Sequence, residues 1–153
     1  MSSWLEITKD AADFAARVRA VFDLNKHKTL ATVRADRSPR LSGIELEFTD
    51  EGELQFGSMP GSWKGRDLAR DPRMAVHSNT PAPEEDNPTA WPGDAKLSGL
   101  AHHSGSTPPG GPEGDLYTVD IKEVVLTYVA ADAQHLVIES WHEGRGYQTV
   151  QRT

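Results

Sequence analysis

The 153-residue chain contains no cysteine. Disulfides, thiolate nucleophiles and cysteine-based zinc or iron-sulfur centres are therefore all excluded. Long apolar runs are missing too: no stretch approaches the roughly 20 residues of a membrane-spanning helix. Met1 to Asp10 has no apolar h-region of the kind a secretory leader carries, so a cytoplasmic protein without a membrane partner is the expectation. Positive charge is in short supply, with 16 Lys and Arg against 23 Asp and Glu and a formal net charge of −7. A general grip on nucleic acid needs a surplus of cations on the binding face, so nucleic acid is not expected as a partner. Any anionic ligand has to meet a local basic cluster.

Several catalytic signatures are also absent. Ser42, Ser58 and Ser98 lie in no G-x-S-x-G setting, and no His-carboxylate pair is fixed by local spacing, so hydrolysis is not indicated. GSWKGRD has a lysine but lacks the glycine spacing and following hydroxyl of a P-loop, and no G-x-G-x-x-G occurs. His77, His102, His103, His135 and His142 are scattered. The adjacent pair His102-His103 would point to opposite faces of a regular strand, so no metal site is expected.

A chain of this length fits one domain, 1–153, with one core. Ala11, Phe14, Ala15, Val18 and Phe22 recur at helical spacing, predicting a helix capped by Asp10 and running to about Asp23. Thr29 to Arg34 and Leu41 to Phe48 are β-like and flank turn residues at Asp36 to Pro39, which reads as a hairpin. Asp50-Glu51-Gly52 turns into a third strand, Glu53 to Ser58. Ser62 caps a short helix that closes before Asp71-Pro72, and Arg73 to Ser78 returns as a strand. Further strands are expected at Ala95 to Ala101, Leu116 to Tyr128, Gln134 to Trp141 and Tyr147 to Gln151, with Pro- and Gly-rich loops at 79–94 and 103–115. Strands in succession with few, short helices predict a mainly β (α+β) fold, a mostly antiparallel closed sheet rather than a βαβ array.

The segment Phe56 to Arg73, FGSMPGSWKGRDLARDPR, is the most informative. A strand ends in small residues and runs into a helix start bearing Lys64 and Arg66. The first N–H groups of a helix lack internal partners and its dipole favours negative charge, so a phosphate fits there. On pattern alone the same two cations read equally well as an ordinary solvated helix face.

The order of helix, LATVRADRSPRLSGIELEF, ELQFGSMPGSWKGRDLARDPRMAVHS, AKLSGLA and a late IESWHEGRG resembles the pyridoxamine-phosphate-oxidase-like split barrels, over nearly the whole chain. That family includes FMN enzymes and flavin/deazaflavin oxidoreductases. The resemblance implies a split antiparallel β-barrel with a few short helices, working as a homodimer with its cofactor at the subunit interface. Ser62 and Lys64 match the family's phosphate contacts, while a usual Arg is Trp63 here, with Arg66 as a substitute. Ser58 stands where a small hydroxyl residue contacts the cofactor, and Thr32, Val33 and Arg34 with Ser42 to Ile44 would line the flavin ring. A family arginine and lysine on the second strand have no clean counterpart, since Arg40 is displaced by the turn and Glu45 and Glu47 follow. Trp141, with Arg145 and Arg152, resembles a Trp/Arg pair given by the neighbouring subunit, although the pattern by itself favours a half-buried strand aromatic and a solubilising tail. The implied activity is hydride transfer to a small-molecule substrate on FMN or a deazaflavin coenzyme. Flavin, haem or tetrapyrrole binding without turnover is the alternative.

Overall fold

The computed structural model describes residues 1–153. The elements, in chain order, are α1 (Trp4–Asp10), α2 (Ala12–Phe22), β1 (His27–Val33), β2 (Pro39–Phe48), β3 (Leu54–Ser58), α3 (Trp63–Arg70), β4 (Arg73–His77), β5 (Asp94–Ser106), β6 (Asp115–Val129), β7 (Leu136–His142) and β8 (Gly146–Arg152), with a 3₁₀ turn at Pro88–Ala90. No helix is long and apolar enough to cross a membrane.

All eight strands form one antiparallel sheet in the order β3-β2-β1-β4-β5-β6-β7-β8, and β3 also pairs with β6. That extra pairing, Gln55 to Thr118 through Ser58 to Asp115, closes the first six strands into a barrel. The fold is thus the mainly β, antiparallel barrel that the strand pattern predicts, and β7 and β8 continue the sheet outward from β6. Closure removes the free edge of β3 that an open sheet would expose.

Strand alternation decides what the barrel holds. Along β1, Lys28, Leu30 and Thr32 are buried while the odd-numbered residues face outward. Leu30, Ile44, Leu54, Phe56, Val76, Leu97 and Val119 fill the interior. The helix α2 lays Phe14, Ala15, Val18, Val21 and Phe22 on this core. Those positions follow the 3.6-residue period that made this helix legible. Its cap differs from expectation: Ala11 is the N-cap with no side-chain bond, because Asp10 ends a separate helix, α1. That first helix has a full capping box, with Ser3 accepting from the Glu6 N–H and Glu6 reaching back to Ser3. The S-x-x-E signal was present in the sequence. Trp4 then packs edge-on against Phe48 at 4.7 Å.

Two glycines are required by space. Gly52 has φ +84 and a Cβ there would lie 2.5 Å from Leu5 Cβ. Gly99 sits opposite a bulge in β6, where a Cβ would come 2.1 Å from the Asp120 carbonyl oxygen, and β5 has its own bulge at Ser104. The bulged β5 runs on to Ser106, so His103 to Ser106 are strand rather than the expected loop, and the connection shortens to residues 107–114.

The α2 helix is also tied to the sheet through charge. Glu139 on β7 is 2% exposed and accepts from Arg17 at 2.5 and 2.6 Å and from the Tyr147 hydroxyl. Burial opposes the carboxylate's charge, and Arg17, Tyr147 and Tyr128 override it, holding the group down at about 2. A folded-state value below the unfolded one adds stability that is complete above the unfolded pKa of about 4.3 and disappears as pH falls toward the folded value. Thermal stability should therefore be flat above about pH 5 and decline from roughly pH 4.5 to pH 2. Glu139→Gln should lower Tm at pH 7 and flatten that acid limb; an unchanged acid limb measured by calorimetry would refute the assignment.

Candidate functional site

The site is built around α3. Its N-cap is Ser62, whose Oγ accepts from the Gly65 N–H at 3.1 Å. Ser58, at the buried end of β3, places its Oγ 2.5 Å from Ser62 Oγ. This hydroxyl pair locks the strand end to the helix start. The N–H groups of Trp63 and Lys64 come before any intrahelical partner and remain available to an acceptor.

Asp67 fixes the rest of the helix. It is 2% exposed, and its carboxylate accepts from Thr32 Oγ1 at 2.7 Å, Arg40 Nε at 2.7 Å and Arg70 Nη2 at 3.2 Å. Burial resists the charge, and the bonds from Arg40 and Thr32 win, so the carboxyl stays below its ordinary range. One acidic residue thereby joins β1, β2 and α3.

With α3 held, Lys64 lines a cavity of about 670 Å³ on the outer side of β2 and β3. Gly43 forms open strand floor, Gly57 lies beneath Thr107, Ser58 and Met59 form the helix side, and 107–114 the opposite wall. A Cβ on Gly43 would meet nothing within 4 Å, so the floor there is flat. Lys64 is half-buried and makes no ion pair. His27 and the carboxylates of Glu45 and Glu113 lie on the rim, with Glu45 3.5 Å from Lys26.

The sequence-derived residues divide between this cavity and other surroundings. Ser58 and Lys64 line the cavity, and Ser62 is bonded to Ser58 beside it. Arg66 does not join them: its guanidinium lies over the exposed Trp63 ring at 4.8 Å, with Arg40 at 5.5 Å from the same ring. Thr32 points into the barrel to Asp67, and Ser42 is on the same inward-facing set of β2, whereas its neighbours Gly43 and Ile44 reach the cavity. Val33 and Arg34 line a different cleft, at the β1–β2 hairpin. Trp141 is 4% exposed inside the core, its indole N–H donating to Asp10 at 3.2 Å. Arg40 is not displaced by the turn: β2 begins at Pro39, so Arg40 is a strand residue directed inward to Asp67. Proline starts a strand without loss because no ladder N–H is needed there. The sequence reading missed Asp67 altogether, since an acid in a short polar helix has no pattern that marks it as buried.

No group of three His, Asp or Glu side chains converges on a common point. Individual histidines pair with single carboxylates instead, as in His77–Asp94 at 2.5 Å and His142–Glu123 at 2.7 Å.

A six-strand closed barrel with a two-strand extension and a short helix between β3 and β4 defines a split barrel. By fold it is a split barrel of the pyridoxamine 5'-phosphate oxidase-like kind. The structure is similar to a pyridoxamine 5'-phosphate oxidase-related, FMN-binding protein from Nostoc punctiforme, at TM-score 0.63 and 12% identity over 94% of this chain and 96% of that one. It is similar to PhzG from Burkholderia lata, solved in complex with tetrahydrophenazine-1-carboxylic acid, at TM-score 0.66 and 14% identity, covering 94% and 92%. A heme binding protein from Mycobacterium smegmatis aligns at TM-score 0.52 and 12% identity, covering 88% and 86%. At such identities the likeness is one of fold. No family profile and no curated protein matches the chain by sequence.

Removing the Asp67 carboxylate should loosen the helix that carries Lys64. Asp67→Ala leaves Arg40 buried without its partner and should cost about 3 kcal/mol, the low end for breaking such a pair. Urea unfolding followed by circular dichroism checks it; a loss under ~0.5 kcal/mol, the range of an ordinary surface change, would contradict the role given to Asp67.

Proposed function

We propose that the chain binds a flavin phosphate, FMN in the first instance, in the cavity beside α3, as one half of a homodimeric oxidoreductase acting on a small-molecule substrate. The observation that carries this reading is Lys64, a half-buried cation without a carboxylate partner, placed beside a serine pair and the open N–H groups of a helix start. Those groups fit a terminal phosphate: the ammonium neutralises it, Ser58 and Ser62 donate to it, and the dipole of α3 adds to both. The open floor at Gly43 suits a planar ring. The fit is thinner than two cations would make it, because Arg66 is turned onto Trp63.

A bound flavin supplies hydride chemistry, and the chain's part is orientation and charge. Lys64 and the serines anchor the phosphate away from the reacting ring. Residues 107–114 would limit access of water to the ring's outer edge, and Thr107 already lies over Gly57, where a Cβ would be 3.2 Å from its Cγ2.

Support for a homodimer comes from the outer face of the barrel. Leu41, Ala31, Ala75 and Ser98 lie side by side across β2, β1, β4 and β5, and Leu41 is 72% exposed. A small, apolar row of this kind is covered by a two-fold partner at modest steric cost. Gly43 is two residues from Leu41 on the same outward-facing set, so the cavity would border that interface.

Titration of the purified protein with FMN, followed by quenching of flavin fluorescence, should show saturable binding. Lys64→Ala should weaken it at least tenfold, corresponding to about 1.4 kcal/mol, with partial recovery in Lys64→Arg. Failure of FMN to bind while a deazaflavin coenzyme does would move the reading to that cofactor. The competing reading, haem or tetrapyrrole sequestration, is favoured by His27 on the same rim, and a Soret shift with haemin that His27→Ala abolishes would establish it. Light scattering of Leu41→Glu should report a monomer against a native dimer; a native monomer would remove the dimeric half of the proposal.

A further inference from the structure

The β1–β2 hairpin and the α3–β4 junction enclose a second cavity of about 620 Å³ at the opposite end of α3 from Lys64. Its charged lining is Arg34, Arg37, Arg70 and Arg73 with one carboxylate, Asp71. No residue is shared with the Lys64 cavity. Four guanidinium groups around one cleft stand against the trend of a chain whose net charge is −7.

The four arginines are held differently. Arg73 is forked onto Asp71, with Nη2 2.6 Å from Oδ2 and Nε 3.0 Å from Oδ1, so the only lining carboxylate is already neutralised. Arg70 is positioned by two acceptors, the Val33 carbonyl on the cleft wall at 3.3 Å and Asp67 behind it at 3.2 Å, both taken by Nη2, which leaves its remaining N–H groups free. Arg34 and Arg37 make neither an ion pair nor a side-chain hydrogen bond. The nearest acid on their own turn, Asp36, is engaged instead by the Ser38 N–H at 2.9 Å and the Ser38 hydroxyl at 2.5 Å.

Backbone geometry adds an independent observation. Arg37 adopts φ +71, the left-handed conformation for which a hairpin turn ordinarily selects Gly, Asn or Asp. The Arg37 N–H closes the turn on the Arg34 carbonyl at 2.9 Å, a bond any residue would make, while the arginine side chain makes none. The strain has a return only if the side chain is used, and it lines the cleft.

We infer that this arginine cleft is a second anion site, taking a multiply charged oxyanion such as the phosphate or pyrophosphate group of a small ligand. Guanidinium forks match phosphate oxygens two at a time, and Arg70 and Arg73 are positioned before the ligand arrives. Arg34 and Arg37 close on it from the hairpin side. The inference does not rest on the flavin reading.

Inorganic pyrophosphate titrated into the native protein at low ionic strength, followed by amide chemical shifts, tests it. The expected result is saturable shifts confined to residues 33–37 and 70–73, with 57–64 unmoved. Arg34→Ala/Arg37→Ala should weaken pyrophosphate binding at least tenfold, and Lys64→Ala should leave it unchanged. Both changes to the hairpin are on exposed side chains, so the double variant should melt within a few degrees of the native protein, and that melt is run alongside. Sulfate should bind more weakly than pyrophosphate, and citrate, a carboxylate of similar charge, more weakly as well. Non-saturating shifts, shifts centred on 57–64, native-like binding by a folded double variant, or equal affinity for citrate would each overturn the site. Tighter binding of a short single-stranded oligonucleotide than of pyrophosphate would overturn the small-ligand assignment.

Discussion

Asp67 sits where α3 meets the barrel, and its two oxygens serve Thr32 from β1, Arg40 from β2 and Arg70 from its own helix. A carboxylate taken out of water is costly unless every lone pair finds a donor, and here three donors come from three elements. The consequence reaches beyond stability. An eight-residue helix has little intrinsic preference for one orientation, and this tie fixes where both of its ends point. Lys64 is set toward the strand floor at one end, and Arg70 toward the hairpin at the other. Both candidate sites depend on the same buried charge.

The opposite end of the barrel is closed by apolar packing. Trp4, Phe22 and Phe48 meet there, and Glu139 with Arg17 secures α2 to β7. On β2, Arg40 and Phe48 are eight residues apart, roughly 26 Å of extended chain, so the two closures act at separate ends. Between them the β3–β6 pairing turns a sheet into a barrel. A hydrophobic plug closes one end and a charged one the other.

Trp63 shows how one residue redirects a neighbouring charge. Its exposed ring takes Arg66 on a face at 4.8 Å and has Arg40 at 5.5 Å. A guanidinium stacks on an indole readily because it is planar and weakly hydrated. Arg66 is therefore spent on the helix surface, and the cavity keeps one lysine. The four arginines at the hairpin escape this fate because no aromatic residue lies beside them in the cleft lining.

What could be read from the amino-acid order was whatever has a short period or a local partner. The β alternation of β1 to β4, the α2 stripe from Phe14 to Phe22, and Ser62 capping a helix that stops before Pro72 all depend on neighbours within a few residues, and so does the joining of Ser58, Ser62 and Lys64. The Ser3–Glu6 capping box is equally local. Other features depend on contacts across long stretches of chain. Thr32 meets Asp67, Arg17 meets Glu139, and Arg34 and Arg37 meet Arg70 and Arg73 only after the barrel closes. Whether Arg66 faced a ligand or a tryptophan, and whether Trp141 was surface or core, turned on the same closure. Local periodicity determined the elements; tertiary packing decided which charges became buried ties and which were left facing a cavity, because burial and pairing belong to the assembled barrel and to no segment of it.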